Sequence, residues 1–147
     1  RSLKTMAIRV KAQNENAMKM ATYLSENKDV DNVYYPGLKT HPGHEVAKSQ
    51  MTGFGGMLSF ELNPEIDASL FFKALKLIKP SMSLAGIEST MLSPTQTSHS
   101  LMSPEDRAKQ GLKASLIRFS LGIEETEDLI ADIEQAIANV KSMAVTA

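Results

Sequence analysis

The stretch that decides the fold is Gly53-Phe-Gly-Gly-Met-Leu-Ser-Phe-Glu-Leu62, because its second half alternates between two kinds of side chain. Leu58, Phe60 and Leu62 take every second position, and Met57, Ser59 and Glu61 lie between them. Successive side chains of a strand point to opposite faces, so one face of this strand is apolar and the other is mostly polar. Such a strand is typical of an antiparallel or mixed sheet that is covered on one side.

The glycine run at positions 53–56 precedes this strand. A phosphate-binding loop is one interpretation of such a run. However, it lacks the lysine of a P-loop and leads into a strand instead of a helix. We therefore expect a tight entry into the strand.

Amphipathic helices are predicted at both ends of the chain. Between Leu3 and Leu24, apolar residues recur mostly three, four or seven positions apart, which is the spacing of one helical stripe. From about Thr126 a second stripe begins, and its acidic residues come early, where they suit the helix dipole. The stripes consist of Leu3, Met6, Val10, Ala17, Met20, Ala21 and Leu24, and of Leu129, Ile130, Ile133, Ile137 and Val140.

Shorter elements are predicted between these helices. Strands are expected at residues 30–35, 76–78, 88–92 and 115–121, and helices at 44–50, at 66–75 and from Ser103 to Gly111. Asn63-Pro-Glu should cap the helix at 66–75, with Pro64 at its first position, and Ser103 should cap the next helix. The sequence thus predicts one α+β domain over residues 1–147, a small antiparallel or mixed sheet with helices on one face, preceded by a long N-terminal helix.

Composition excludes several classes of function. Sixteen basic and 17 acidic residues give a net charge of −1, so there is no electrostatic reason to expect nucleic acid or an anionic membrane as a partner. The absence of cysteine excludes disulfides and thiolate metal sites and fits a reducing cytoplasm. His41 and His44 lack the helical spacing of a zinc site, so we expect no metal there. The chain starts at Arg1 inside a helical pattern, which suggests a piece of a longer protein.

Arg118 is the most informative residue for function, because it lies inside the apolar strand at 115–121. A guanidinium in that place needs an anion or an edge position. One interpretation is a fork-shaped donor for a carboxylate or phosphate. The other is a strand-edge arginine paired with Glu124 or another surface acid, and the residues alone favour that one.

The segment from Ser81 to Ser89 gathers small residues and one acid, Glu88. Small residues allow a backbone to approach a ligand closely. An ordinary turn between two strands is the alternative interpretation, and the sequence leaves both open.

Several motifs occur along the chain in a fixed order. They are Arg1-Ser-Leu-Lys-Thr-Met, Tyr35-Pro-Gly-Leu, His41-Pro-Gly-His, Gly53-Phe-Gly-Gly-Met, Ser83-Leu-Ala-Gly-Ile-Glu-Ser, Leu116-Ile-Arg-Phe-Ser-Leu-Gly-Ile-Glu and Glu127-Asp-Leu-Ile-Ala-Asp-Ile-Glu. Taken together, they resemble the C-terminal part of the pyridoxal-phosphate enzymes of Cys/Met metabolism. That family includes cystathionine γ-synthase, the cystathionine lyases and methionine γ-lyase.

The resemblance implies roles for three residues. Arg118 would bind the α-carboxylate of an amino-acid substrate, which reverses the preference for an edge pairing, and Ser83 would lie beside substrate and cofactor. Members that handle cystathionine often have glutamate before the motif serine, where this chain has Met82. Met82 therefore argues against γ-synthase and γ-lyase specificity and leaves β-lyase, methionine γ-lyase-like or sulfhydrylase-like activity open. Ala85 replaces the first glycine of the family's Ser-Leu-Gly-Gly motif.

The resemblance also implies what lies outside this chain. The Schiff-base lysine and the phosphate contacts of pyridoxal phosphate would belong to an N-terminal cofactor domain, so the fragment alone is expected to be inactive. The intact enzyme would be a cytoplasmic homo-oligomer that performs β- or γ-elimination or replacement on sulfur amino acids, with the cofactor as electron sink. The alternative is a binding or oligomerisation module that has kept the fold and lost catalysis.

Overall fold

The structure is a computed structural model that describes residues 2–97 and 99–145. Its helices are α1 (Met6–Glu26), α2 (His44–Gln50), α3 (Ala68–Ala74), α4 (Pro104–Lys109) and α5 (Thr126–Val145), and its strands are β1 (Val30–Tyr34), β2 (Met57–Leu62), β3 (Lys79–Pro80), β4 (Thr90–Leu92) and β5 (Leu116–Ser120). Single 3₁₀ turns cover Ser2–Thr5 and Pro94–Gln96. None of the helices in the described part of the chain is long and apolar enough to cross a membrane.

The strands form one mixed sheet in the order β1-β2-β5-β4-β3. Neighbours are antiparallel except β3 and β4, which run parallel. In the central pair, Leu58 lies opposite Phe119 and Ser59 lies opposite Arg118. Residues directly opposite in an antiparallel pair project to the same face. The register therefore separates an apolar face from a second face that carries Arg118, as the alternation in β2 predicts.

The core lies between the apolar face of the sheet and the helices α1, α3 and α5. The side chains of Phe60, Ile117 and Phe119 are fully buried there. Burial of one such side chain contributes about 1.5–3 kcal/mol to folding. The predicted α+β arrangement, with helices covering one side of the sheet, is confirmed.

The stripe on the first helix is confirmed only in its second half. Met20 and Leu24 are fully buried, whereas Leu3, Met6 and Val10 are exposed. Gln13 and Asn16 are the first buried residues of α1. The apolar stripe is thus buried only from Ala17 onward, because the sheet and its loops first meet the helix near Gln13.

The cap predicted for the helix at 66–75 was also wrong. Asp67 is the N-cap, and its carboxylate accepts a hydrogen bond from the N–H of Leu70 at 2.9 Å. Asn63 instead closes a turn by accepting the N–H of Glu65 at 3.0 Å. Because Ile66 is buried in the core, the chain turns before the helix can begin.

No strand forms at residues 76–78, where one was predicted. The carboxylate of Asp132 on α5 accepts the N–H groups of Lys76, Leu77 and Ile78 at 2.9, 2.9 and 2.8 Å. Buried backbone donors need a partner, and this carboxylate provides one in place of a neighbouring strand. The strand pairing begins only at Lys79.

Other predictions are confirmed closely. The helix at 44–50 matches α2, and the helices predicted near Ser103 and Thr126 match α4 and α5. The hydroxyl of Ser103 accepts the N–H of Asp106 at 3.1 Å, and Gly111 follows α4 with a φ of +70°. The glycine run is a tight entry into β2, because a Cβ on Gly56 would lie 2.9 Å from the Cβ of Gln13.

Candidate functional site

Arg118 is the centre of the candidate site and lies near the middle of β5. The side chains that flank it across the sheet are those of Ser59 on β2 and Leu92 on β4. Ile117 and Phe119, its neighbours along the strand, point into the core and are fully buried. The packing of these two side chains fixes the strand, so the guanidinium emerges on the opposite face of the sheet.

Backbone carbonyls hold the guanidinium of Arg118. Its Nη2 donates to the carbonyl oxygens of Met82 at 3.1 Å and Ser83 at 3.3 Å. Its Nε is buried and has no hydrogen-bond partner in the described part of the chain. A guanidinium has five N–H donors, and the described contacts leave those of Nη1 available for an anion.

An edge pairing between Arg118 and Glu124 does not form. The carboxylate of Glu124 accepts the N–H of Ser89 at 2.6 Å and its hydroxyl at 2.8 Å. No ion pair is seen between Arg118 and any acid within residues 2–97 and 99–145. The pairing that the residues alone favoured is not seen, and Arg118 lies on the central strand β5, between β2 and β4, and not on an edge strand.

The segment at 82–86, which we name the clasp loop, lies against Arg118. Its backbone is held at both ends: the carbonyl of Ser83 accepts the hydroxyl of Thr90 at 2.8 Å, and that of Gly86 accepts Nε2 of Gln13 at 2.7 Å. Between them, the N–H of Ala85 donates to the hydroxyl of Ser120 at 2.9 Å. The segment is thus an ordered loop between β3 and β4, held by hydrogen bonds with three other residues.

Ala85 adopts a left-handed backbone conformation with a φ of +59°. The resembling motif has glycine here, and glycine reaches this region without steric cost. A residue with a Cβ is disfavoured there and is held only where its surroundings over-determine it. The clasp loop is therefore constrained by its contacts rather than by its own preference.

A second set of contacts fixes the end of this region to the segment after β5. The hydroxyl of Ser89 accepts the N–H of Gly122 at 2.8 Å, and the carbonyl of Ile87 accepts the N–H of Ile123 at 3.0 Å. A Cβ on Gly122 would lie 2.3 Å from the carbonyl oxygen of Ile87. Only glycine permits this close approach.

Met82 and Ser83, the other two predicted site residues, are both brought to Arg118. They meet it through their carbonyl oxygens, while both side chains are exposed. Met82 also lines an open groove of about 320 Å³, together with Phe72, Met91, Leu92, Gln96 and Thr97. The structure therefore brings the three predicted residues into contact, with a groove lined mainly by apolar surface beside Met82.

Sequence reasoning missed Gln13, Asn16 and Ser120. Nδ2 of Asn16 donates to the carbonyls of Gly122 at 3.2 Å and Glu124 at 2.7 Å. One signal was available: Gln13 and Asn16 are three residues apart and lie on the apolar stripe of the first helix. Polar residues in such positions need buried partners.

A second polar cluster lies on the same face of the sheet, around Glu61. Its carboxylate accepts bonds from Lys113 at 2.7 Å, Asn32 at 2.8 Å and Tyr34 at 2.9 Å, and its side chain is only 2% exposed. Burial alone would raise the pKa of Glu61, but the bonds from Lys113, Asn32 and Tyr34 outweigh it and lower that pKa. Since these partners satisfy the carboxylate, the cluster supports the sheet.

The histidine pair has structural contacts. The ring of His44 donates from Nδ1 to the carbonyl of Pro36 at 2.8 Å and stacks on Phe54 with centroids 5.5 Å apart. Nδ1 of His41 accepts the N–H of Gly43 at 3.0 Å. Within the residues that the structure describes, no group of His, Asp or Glu is arranged to hold a metal ion.

Comparison with known proteins gives consistent results. The family model for Cys/Met metabolism PLP-dependent enzymes matches residues 1–138. A cystathionine β-lyase of Lactococcus lactis subsp. cremoris is 45% identical over 137 residues, and a cystathionine γ-synthase of Arabidopsis thaliana is 45% identical over 138 residues. These matches cover 93% of this chain but only 36% and 24% of the two relatives, so the chain spans about a third or less of their length.

A solved structure agrees in fold as well as in sequence. The crystal structure of cystathionine γ-lyase from Lactobacillus plantarum complexed with L-serine superposes with a TM-score of 0.91 at 39% identity. The match covers 96% of this chain and 37% of that one. The arrangement of sheet and helices is therefore that of a corresponding part of a larger enzyme.

Proposed function

Since this chain belongs to the family of Cys/Met metabolism PLP-dependent enzymes, we propose that it is the C-terminal substrate-binding domain of a trans-sulfuration enzyme. In this proposal Arg118 binds the α-carboxylate of a sulfur-containing amino acid. The intact protein then performs β- or γ-elimination or replacement on that substrate.

The observation that carries this proposal is the state of the guanidinium of Arg118. Two backbone carbonyls orient it through Nη2, no acid in the described residues neutralises it, and its Nε is buried without a partner. A partly buried positive charge without a counter-charge raises the free energy of the folded protein, and a bound anion would relieve that cost. A carboxylate would accept a charge-assisted hydrogen bond from the donors that the two carbonyls leave free.

Binding the carboxylate would orient the substrate. A charge-assisted bond to a guanidinium that the clasp loop holds in place restricts the carboxylate, and the Cα–H bond then has fewer directions open to it relative to the sheet. Fixing a reacting bond in this way lowers the entropic part of the barrier. Ser83 contributes through its carbonyl, which holds the guanidinium in place.

Pyridoxal phosphate, which enzymes of this family use, supplies the electron sink for such reactions. The residues described in this chain fit the substrate carboxylate better than they fit the cofactor. Nζ of Lys79 and Nζ of Lys113 each lie 2.7 Å from a carboxylate, and the glycine run at 53–56 packs against α1. Following the resemblance, we propose that the cofactor's lysine and phosphate contacts belong to an N-terminal domain of the longer protein.

Met82 bears on the substrate, because its side chain lines the groove beside Arg118. The groove has no acidic residue in its lining, so a distal ammonium group would find no counter-charge there. Cystathionine carries such a distal ammonium group in the β-lyase reaction as well as in the γ-lyase reaction, so this lining favours methionine γ-lyase-like or sulfhydrylase-like activity. The relatives do not discriminate, since the lyase and the synthase are both 45% identical to this chain.

Exposed apolar side chains support the assignment to a larger protein. Leu3 in the preceding 3₁₀ turn and Met6 and Val10 at the start of α1 are all exposed. Singly exposed apolar residues are common, but a row of them on one helix is typical of a surface that packs on another domain or subunit. We propose that the intact enzyme is a homo-oligomer in the cytoplasm, which the cysteine-free composition fits.

Replacement of Arg118 in the full-length protein tests the proposal. Arg118→Ala should raise KM sharply and reduce transition-state stabilisation by about 2–4 kcal/mol, measured from kcat/KM with L-cystathionine and L-methionine. Arg107→Ala is the control, because Arg107 also donates to a backbone carbonyl, that of Thr95 at 3.3 Å. An unchanged kcat/KM for Arg118→Ala would remove this residue from the site. A full-length protein without activity on any sulfur amino acid would favour the non-catalytic module.

A further inference from the structure

The position of the clasp loop decides the orientation of Arg118. Both described hydrogen bonds of the guanidinium end on this loop, at the carbonyls of Met82 and Ser83. A shift of the loop would therefore turn the remaining donors of Arg118 away from a bound carboxylate. The contacts that hold the clasp loop should therefore affect substrate binding as well as the stability of the protein.

Ser120 holds the loop from the same strand as Arg118. The two residues are two positions apart on β5, so their side chains project to the same face. The hydroxyl of Ser120 accepts the N–H of Ala85 at 2.9 Å, and Ser120 is 1% exposed. One face of β5 therefore hydrogen-bonds to the clasp loop at two points, through the guanidinium of Arg118 and the hydroxyl of Ser120.

Gln13 holds the far end of the loop from a different element. Its Nε2 donates to the carbonyl of Gly86 at 2.7 Å, and the residue is 7% exposed. The Cβ of Gln13 packs so closely on the glycine run that a Cβ on Gly56 would lie 2.9 Å from it. Because α1 is fixed at this point, Gln13 is a firm anchor for the loop.

We propose that Ser120 and Gln13 are positioning residues for substrate binding, acting on Arg118 through the clasp loop. Ala85 lies between the two anchors in its left-handed conformation. Its backbone would leave this conformation if either contact were lost, because a residue with a Cβ prefers other regions. The carbonyls of Met82 and Ser83 would then move, and Arg118 with them. This inference rests on the proposed role of Arg118.

The test uses the full-length protein with Ser120→Ala and Gln13→Met, which remove the two anchoring groups with little change in volume. Each should raise KM by about threefold to tenfold, as expected for one lost hydrogen bond, and leave kcat within about twofold. KM is measured with L-cystathionine or L-methionine, whichever is turned over faster. Ser120→Thr keeps the hydroxyl and should restore a KM close to that of the parent.

Matched controls separate positioning from general destabilisation. Gln135→Met removes a similar bond, from Nε2 to the carbonyl of Ala74 at 2.6 Å, which joins α5 to α3 and does not involve Arg118 or the clasp loop. Ser25→Ala removes a hydroxyl that donates to the carbonyl of Ala21 at 2.7 Å. Both controls should leave KM unchanged.

Double variants give the decisive readout. In an Arg118→Ala background, Ser120→Ala and Gln13→Met should raise KM no further, because the residue through which they act is gone. The inference would be overturned if Ser120→Ala and Gln13→Met raised KM equally in the parent and in Arg118→Ala, or no more than the controls do. The role of Arg118 would then remain intact. If Arg118→Ala itself leaves KM unchanged, or no substrate is turned over, the proposed function fails first. Should Ser120→Ala not fold, Gln13→Met carries the test alone.

Discussion

The carboxylate of Glu124 accepts two hydrogen bonds from Ser89, one from its N–H at 2.6 Å and one from its hydroxyl at 2.8 Å. Ser89 is fully buried, and its hydroxyl in turn accepts the N–H of Gly122. This relationship joins the segment after β5 to the segment that follows the clasp loop.

Loss of the Glu124 carboxylate should destabilise the protein. In Glu124→Ala the buried N–H of Ser89 loses its partner, and a buried unsatisfied donor costs about 1–3 kcal/mol. Urea unfolding of the variant measures the change. Glu125→Ala, one residue further along the chain, is the control. Equal stability of the two variants would show that the Ser89 contact contributes little.

Gly122→Ala should shift the loop beside Arg118. The added Cβ would lie 2.3 Å from the carbonyl oxygen of Ile87 and 2.7 Å from the carbonyl carbon of Glu88, and backbone atoms cannot give way as a flexible side chain can. We expect a loss of about 1–3 kcal/mol in stability, typical of overpacking, together with a higher KM.

Gly86→Ala is the matched control for Gly122→Ala. The nearest atom to its new Cβ would be the backbone nitrogen of Glu88, at 3.8 Å, which is an ordinary contact. The free energy of unfolding of Gly86→Ala should lie within about 0.5 kcal/mol of that of the parent protein. If Gly86→Ala is as harmful as Gly122→Ala, the close approach at Gly122 is not the cause.

Ala85→Gly should be stabilising or neutral, unlike most replacements of alanine by glycine. At a φ of +59° the Cβ of Ala85 destabilises the folded protein by about 1–2 kcal/mol. Removing it relieves this strain, which offsets the larger conformational entropy that glycine gives the unfolded chain. Ala138→Gly, on the exposed side of α5, should instead cost about 1 kcal/mol. Thermal unfolding compares the two. A loss of stability for Ala85→Gly equal to that for Ala138→Gly would contradict the expected strain.

Glu61 should make stability depend on acid pH. Its pKa in the folded protein lies below the ordinary value of 4.5, so its contribution is fully present above pH 4.5 and is lost as the pH falls through the folded pKa. Glu61→Gln cannot titrate and should show a flatter profile between pH 7 and pH 3 in urea unfolding. A profile as steep as that of the parent would place the acid sensitivity in other carboxylates.

Periodicity in the sequence determined much of the architecture. The alternation from Leu58 to Leu62 predicted a sheet covered on one side, and the apolar spacing after Thr126 predicted α5, because the repeats of strand and helix differ. The ordered motifs identified the family and singled out Arg118. These features are local, so they could be read without the structure.

Only the tertiary structure decided which polar groups meet. Nothing local in the sequence shows that Asp132 binds the amides of residues 76–78, or that Ser89 occupies Glu124, since these partners are far apart in the chain. Gln13 and Ser120 likewise reach the clasp loop from two separate elements. Hydrogen bonds of this kind depend on atomic positions that packing fixes, whereas apolar burial depends mainly on a repeating pattern. For that reason the sequence alone predicted the sheet and the arginine, and the tertiary structure alone decided how the arginine is held.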